Sequence, residues 1–150
     1  MASSKPFTHI MAPIDGSACS INAGRLAIEI ASELQARITF VYVVDATAVK
    51  EIARSSHRSI EQVQQEMKAN GGRYLRHLTR QARRQELEVE QAIHFGTPYI
   101  EISEVARGGQ VDLIVMGQVG KHGLRRLMMG SVTERVIELA SCPVLVVKPE

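Results

Sequence analysis

The residues with the clearest chemical capacity lie between positions 111 and 149. An apolar run, Val111-Asp112-Leu113-Ile114-Val115-Met116, opens into a loop spaced Gly117-x2-Gly120-x9-Gly130-Ser131. Glycines let backbone N–H groups approach an anion closely. A helix starting just beyond them adds unpaired donors and the positive end of its dipole. The chemistry this spacing predicts is phosphate binding. Lys121, His122, Arg125 and Arg126 lie inside the loop, where they could steer or neutralise phosphates or simply stand in solvent. The Walker pattern is absent. So is the dinucleotide fingerprint from the first turn, which reads Asp15-Gly16-Ser17-Ala18.

Other reactive side chains carry less. Asp15 follows an apolar segment and serves equally as a turn residue or a ligand contact, since Asp-Gly is a common turn pair. His9, His57, His77, His94 and Cys19 show no metal-ligand spacing. Arg73, Arg76, Arg80, Arg83 and Arg84 form a basic stripe without interleaved aromatics for base stacking, so it reads as a solvated helix face rather than a nucleic-acid surface. Cys142 precedes Pro143 and reads as a small packed apolar side chain, and Met128-Met129 as a core or loop anchor.

Positioning these residues requires an alternation of strands and helices. Phe7–Ile14 reads as a first strand and Asp15-Gly16-Ser17 as its turn, with Ser17 or Ser20 capping a helix. Ala23, Leu26, Ala27, Ile30, Ala31 and Leu34 recur at helical steps. Ile38–Val44 is continuously β-branched and aromatic, as in a parallel strand covered on both faces. Ala46–Arg54 is weakly helical, and Ile60, Val63, Met67, Tyr74, Leu78 and Ala82 then share one helical face. Gly71-Gly72 inside that face predicts a kink or local break, each glycine costing about 1 kcal/mol against Ala. Leu87–Phe95 alternates as a more polar strand. Thr97-Pro98 starts a helix, with Thr97 as cap and Ile100 or Ile102 on its apolar face. The last elements are a strand over 111–116, a helix over 131–140 and a strand over 143–148. The expectation is an α/β fold: an open five-stranded parallel sheet with helices on both faces, Rossmann-like. In such sheets ligands bind beyond the carboxyl ends of the strands, where Asp15, Val43-Val44-Asp45 and Gly117 fall.

At 150 residues the chain suits one domain over 1–150, with 1–6 as a loose tail. A net charge of +2 makes no general case for nucleic acid or membrane. Two distant cysteines suit a reducing compartment, the N-terminus has no cleavage pattern, and no stretch approaches membrane-span length, so a cytoplasmic protein is expected.

Four landmarks in order resemble the universal stress protein family across Phe7–Lys148: Pro13-Ile14-Asp15-Gly16-Ser17; Gly96-Thr97-Pro98; the glycine loop running into Val132-Thr133-Glu134-Arg135-Val136; and Cys142-Pro143-Val144-Leu145-Val146-Val147. The resemblance implies an ATP-binding subclass and a superfamily shared with adenine nucleotide α-hydrolases. It places Pro13, Ile14 and Asp15 at the cofactor, with Asp15 facing the ribose or a nucleotide-bound divalent ion such as Mg2+ or Mn2+. Backbone groups of Val43 would read the adenine edge, and Met116 and Gly117 would flank the ribose. Gly120, Gly130, Ser131 and Val132 would contact the phosphates of ATP. It implies a homodimer paired through the edge strand 143–148, with ATP or AMP as small-molecule partner. Gln118-Val119 departs from the Ser or Thr followed by His or Arg common in relatives, which removes one polar contact.

The residues favour a binding role in the stress response over an enzyme. Asp15 is the only evident general base, and no lysine or arginine stands as in phosphoryl-transfer motifs. The resemblance still allows slow hydrolysis or self-phosphorylation. An adenylating enzyme of the same superfamily would carry histidines near the first strand's end, which Asp15-Gly16-Ser17-Ala18 lacks. A phosphoacceptor receiver domain needs an Asp after strand three, where this chain reads His94-Phe95-Gly96.

Overall fold

The computed structural model describes residues 6–120 and 128–150. The elements run β1 His9–Pro13, α1 Ala18–Leu34, β2 Arg37–Asp45, α2 Ala46–Ser56, α3 Ile60–Arg84, β3 Val89–Gly96, α4 Pro98–Gly108, β4 Leu113–Gly117, α5 Ser131–Leu139 and β5 Val144–Val147. The strands form one parallel sheet in the order β3-β2-β1-β4-β5. The chain moves outward from β1 to β3, then returns to the other side of β1. The order therefore reverses between β1 and β4, which opens a crevice at the carboxyl ends of those strands.

Two apolar layers hold the sheet. On one face Ile10, Ala12, Ile38, Phe40 and Tyr42 pack with Ala23, Ala27 and Ala31 of α1, Val49 and Ala53 of α2, and Val63, Leu75, Leu78 and Ala82 of α3. On the other, Met11, Val41, Ile114 and Met116 meet Ile102 and Ala106 of α4 and Val136 of α5. Strand residues of alternate parity feed opposite layers, so the central strands are apolar throughout.

The connection from Ala46 to Glu86 contains two helices, and α3 is unbroken through Gly71-Gly72. The predicted kink is absent because Gly71 permits a close approach: a Cβ there would lie 2.2 Å from Tyr42 Cδ1. Helix α3 starts with a capping box, Ser59 Oγ accepting from Gln62 N–H and Gln62 Oε1 accepting from Ser59 N–H. Ile60, expected on the apolar face, is 50% exposed, and the buried stripe of α3 begins at Val63. Of the two isoleucines offered for α4, Ile102 is buried and Ile100 exposed. Thr97 occupies the α4 cap position without a side-chain cap bond. Met128 is exposed and no core anchor.

At the opposite end of the sheet Asp112 fastens the first strand, accepting from Thr8 N–H (2.8 Å), Thr8 Oγ1–H (2.9 Å) and His9 N–H (3.1 Å). The His9 ring is buried between the Gly109 carbonyl (2.8 Å from Nδ1) and the Thr39 hydroxyl (2.7 Å from Nε2).

Of the expected loose tail only Pro6 falls within the described residues. Lys121, His122, Arg125 and Arg126 lie outside them.

Candidate functional site

The site begins where β1 ends. Ile14 N–H donates to the Val41 carbonyl (2.7 Å), which holds this end of β1 against β2. Asp15 N–H donates to Ser20 Oγ (3.2 Å), and Asp15 Oδ1 accepts from Ser17 N–H (2.9 Å). The turn is tight because Gly16 adopts φ +88°, with Tyr74 Cε2 only 2.5 Å from where a Cβ would stand. Ser17, rather than Ser20, caps α1.

The end of β2 forms the second wall. Tyr42 is buried, and its ring lies 6.4 Å from that of Tyr74. Burial, then the nearby Tyr74 and the Asp15 carboxylate, push the Tyr42 hydroxyl above its ordinary range and keep it neutral. Asp45 closes β2 and caps α2, accepting from Thr47 N–H (3.0 Å) and Ala48 N–H (3.4 Å).

The third wall is the glycine loop. A Cβ on Gly117 would meet Cys19 Sγ at 2.7 Å, so α1 is pressed onto the end of β4. Gln118 N–H donates to the Val147 carbonyl (2.8 Å), and the Gln118 carbonyl accepts from Gly130 N–H (2.7 Å). One backbone unit thus ties the loop's two described ends to each other and to β5. The buried Thr133 hydroxyl donates to the Gly117 carbonyl (2.8 Å). Gly120 lies against Asp15, where a Cβ would be 2.7 Å from Oδ2. Gly130 is the N-cap of α5 and supplies no side-chain oxygen to the first turn, so that turn keeps backbone N–H groups for another acceptor.

These walls enclose a cavity of about 420 Å³, a size that suits one small organic ligand. All ten residues singled out in the sequence line it: Pro13, Ile14, Asp15, Val43, Met116, Gly117, Gly120, Gly130, Ser131 and Val132. Sequence reasoning missed the outer wall, made by Ala48 and Ile52 of α2, Arg58 of the α2–α3 turn, and Val63, Glu66, Met67 and Asn70 of α3. A signal for α3 was present, because 63, 66, 67 and 70 follow the i, i+3, i+4, i+7 rule with polar residues at two of the four positions.

Among the described lining residues the carboxylates are Asp15, Asp45 and Glu66, and Arg58 is the cation. No group of three or more His, Cys, Asp or Glu able to hold a metal occurs among the described residues. No helix there is long and apolar enough to cross a membrane.

Known proteins share this architecture. A universal stress protein of Methanocaldococcus jannaschii is 39% identical over 142 residues, covering 95% of this chain and 82% of its own. Universal stress protein YxiE of Bacillus subtilis is 31% identical, covering 95% of this chain and 99% of its own. The solved structure of UspA from Lactobacillus plantarum superposes with a TM-score of 0.83 at 26% identity, covering 95% and 98% of the two chains. Two further structures share the fold. One, from Archaeoglobus fulgidus in complex with dAMP, has TM-score 0.68, 20% identity and coverage of 95% and 98%. The other, from Arabidopsis thaliana with AMP bound, has TM-score 0.66, 19% identity and coverage of 95% and 92%. The family model described as "Universal stress protein family" matches residues 6–148, from just before β1 to just past β5. With its sheet order, its glycine loop and near full-length relatives in agreement, the chain belongs to the universal stress protein family.

Proposed function

We propose that this universal stress protein binds an adenine nucleotide in the 420 Å³ cavity and acts in the stress response by binding rather than turnover. The observation that carries this reading is the Gly130 N–H to Gln118 carbonyl bond at 2.7 Å. It folds the glycine loop back so that Gly120, Gly130, Ser131 and Val132 line one end of the cavity, next to the first turn of α5. The phosphates of ATP or AMP sit there, on backbone N–H groups and the Ser131 hydroxyl. The ribose lies by Met116, Gly117 and Asp15, and the adenine against the backbone of Val43, with Pro13 and Ile14 beneath. Asp15 offers one carboxylate to a Mg2+ or Mn2+ ion whose other ligands are phosphate oxygens and water. The dAMP and AMP held by two chains of this fold support the choice of adenine. In this reading the protein works in the cytoplasm, where the free thiols of Cys19 and Cys142 stay reduced.

A second surface supports a homodimer. Strand β5 is a sheet edge, and Leu145, Ile137 and Leu139 expose 39%, 44% and 45% of their surface. An unpaired apolar edge calls for a cover, and a second copy meeting it across a two-fold axis provides one.

Mass spectrometry of the purified protein under native conditions, with and without added ATP and Mg2+, tests the nucleotide reading. A mass increment of one adenine nucleotide per chain is expected. No increment at millimolar ATP would contradict it.

A further inference from the structure

We infer that Tyr74 of α3 is a positioning residue for the nucleotide site: its ring holds the Gly16 turn and, through that turn, the Asp15 carboxylate at the cavity. This rests on the nucleotide reading above, in which Asp15 meets the ribose and a phosphate-bound Mg2+, and it names the side chain that aims Asp15.

The turn is the pliable link in the site. Gly16 adopts φ +88°, a region that glycine enters and leaves with equal ease. Asp15 N–H donates to Ser20 Oγ, and Ser17 N–H donates to Asp15 Oδ1. Both bonds tie the turn only to the start of α1. Tyr74 adds a contact from a different helix. Its Cε2, Cζ and hydroxyl oxygen lie 2.5, 2.7 and 3.0 Å from where a Cβ on Gly16 would stand, so the ring occupies the space a side chain there would take. The turn therefore cannot relax toward α3. The carboxylate so placed reaches the glycine loop, where a Cβ on Gly120 would be 2.7 Å from Asp15 Oδ2.

The ring is itself fixed. Tyr74 follows Gly71 by three residues and shares its side of α3. Gly71 is pressed to Tyr42, where a Cβ would be 2.2 Å from Cδ1. The Tyr42 and Tyr74 rings then pack at 6.4 Å with a tilt of 42°, a spacing at which aromatic pairs attract. Burial raises the Tyr42 hydroxyl above its ordinary range, and Tyr74 and the Asp15 carboxylate add to this, so the three side chains share one neighbourhood. Tyr42 and Asp15 line the cavity, whereas Tyr74 does not and packs on the apolar core. Tyr74 thus acts on the ligand through the turn.

A double-mutant cycle separates positioning from packing. Calorimetry follows ATP with Mg2+ binding to the wild type, Tyr74→Leu, Asp15→Asn, the double variant and the conservative Tyr74→Phe, with circular dichroism confirming that each is folded. Asp15→Asn is expected to weaken binding about tenfold and Tyr74→Leu about fivefold, while Tyr74→Phe, which keeps the ring, stays within about twofold of the wild type. In the double variant Tyr74→Leu is expected to add less than about twofold to the loss from Asp15→Asn, because no carboxylate is left to aim. Losses that multiply in the double variant overturn the assignment and leave nucleotide binding standing. Wild-type affinity in Tyr74→Leu or in Asp15→Asn does the same. If Tyr74→Leu does not fold, Tyr74→Met takes its place in the cycle. Failure of the wild type to bind ATP overturns the nucleotide reading and this inference with it.

Discussion

Gly71 and Tyr42 seat helix α3 on the sheet: a Cβ on Gly71 would stand 2.2 Å from the Tyr42 ring. The next residue differs. A Cβ on Gly72 would meet only the movable guanidinium of Arg76, at 3.0 Å. Gly71→Ala is therefore expected to destabilise by about 1–3 kcal/mol through overpacking, even though Ala is the better helix former. Gly72→Ala is expected to stabilise by up to about 1 kcal/mol. Urea unfolding of the two variants checks both signs, and a stabilising Gly71→Ala would show that α3 is not seated on Tyr42.

Gly120 and Asp15 are similarly close, with 2.7 Å between the missing Cβ and Asp15 Oδ2. The obstruction is a side chain at the cavity rim, so Gly120→Ala displaces the carboxylate at little cost in stability. ATP affinity is expected to drop about tenfold or more, while the unfolding free energy changes by less than about 1 kcal/mol. Unchanged affinity would remove Asp15 from the ligand's surroundings.

The Thr133 hydroxyl is 3% exposed as a residue and bonds the Gly117 carbonyl. Thr133→Val keeps the shape and leaves that buried carbonyl short of a donor. A loss of about 1–3 kcal/mol is expected, with Thr133→Ser recovering part of it. Equal stability of all three proteins would mean that water replaces the bond.

The base of the sheet should respond to acid in two stages. Burial lowers the His9 pKa below its ordinary 6.5; the hydrogen bond to Gly109 only partly opposes this. A depressed folded pKa means the unfolded chain binds the proton more readily. The contribution of His9 is thus present above pH 6.5 and lost as pH falls through the folded value. Asp112 follows at lower pH. Burial raises its pKa, but the hydrogen bonds from Thr8 and His9 outweigh it, and the net value lies below 3.8. Its contribution is present above pH 3.8 and lost below. Thermal midpoints measured from pH 8 to pH 3 are expected to decline first below 6.5, and His9→Asn is expected to flatten that first decline. An identical profile for the variant would exclude His9 as its source.

Gln118 links the loop to the proposed dimer edge, since its N–H reaches Val147 of β5 while its carbonyl holds Gly130. Binding ATP beside Gln118, at the described ends of the loop, Gly117–Gly120 and Gly130, should therefore shift the monomer–dimer equilibrium, in the reciprocal manner linkage requires. Sedimentation at several concentrations, with and without ATP, is expected to show different dimer affinities, and Leu145→Glu is expected to give a monomer. A dimer of unchanged affinity with saturating ATP would separate the two surfaces.

The sheet was legible because its strands are plain in composition: Ile38–Val44 is apolar without alternation, and the landmarks Asp15-Gly16-Ser17, Thr97-Pro98 and Gly130-Ser131 mark turns and helix starts. The inner half of the cavity was legible for the same reason, since strand ends and glycines are local signals. Its outer half was not. Glu66 and Asn70 look like ordinary surface residues until α3 is laid over β2, and the glycine pair that permits this reads locally as a helix breaker. The apolar run Val111–Met116 places Asp112 inside a strand, whereas β4 begins at Leu113. The service of Asp112 to Thr8 and His9 spans more than a hundred residues and leaves no periodic trace.

The phosphate site proposed in the glycine loop depends on the close backbone approach that Gly130 permits. Calorimetric titration of ATP with Mg2+ into the wild type and Gly130→Val tests it most directly. A Cβ at Gly130 would already stand 3.3 Å from the Gln118 carbonyl and 3.4 Å from Gly120 N, so a branched side chain must crowd the proposed phosphate site. The prediction is saturable binding by the wild type and at least tenfold weaker binding by a variant whose circular dichroism is unchanged. Equal affinities for the two proteins would rule out a phosphate site in the loop.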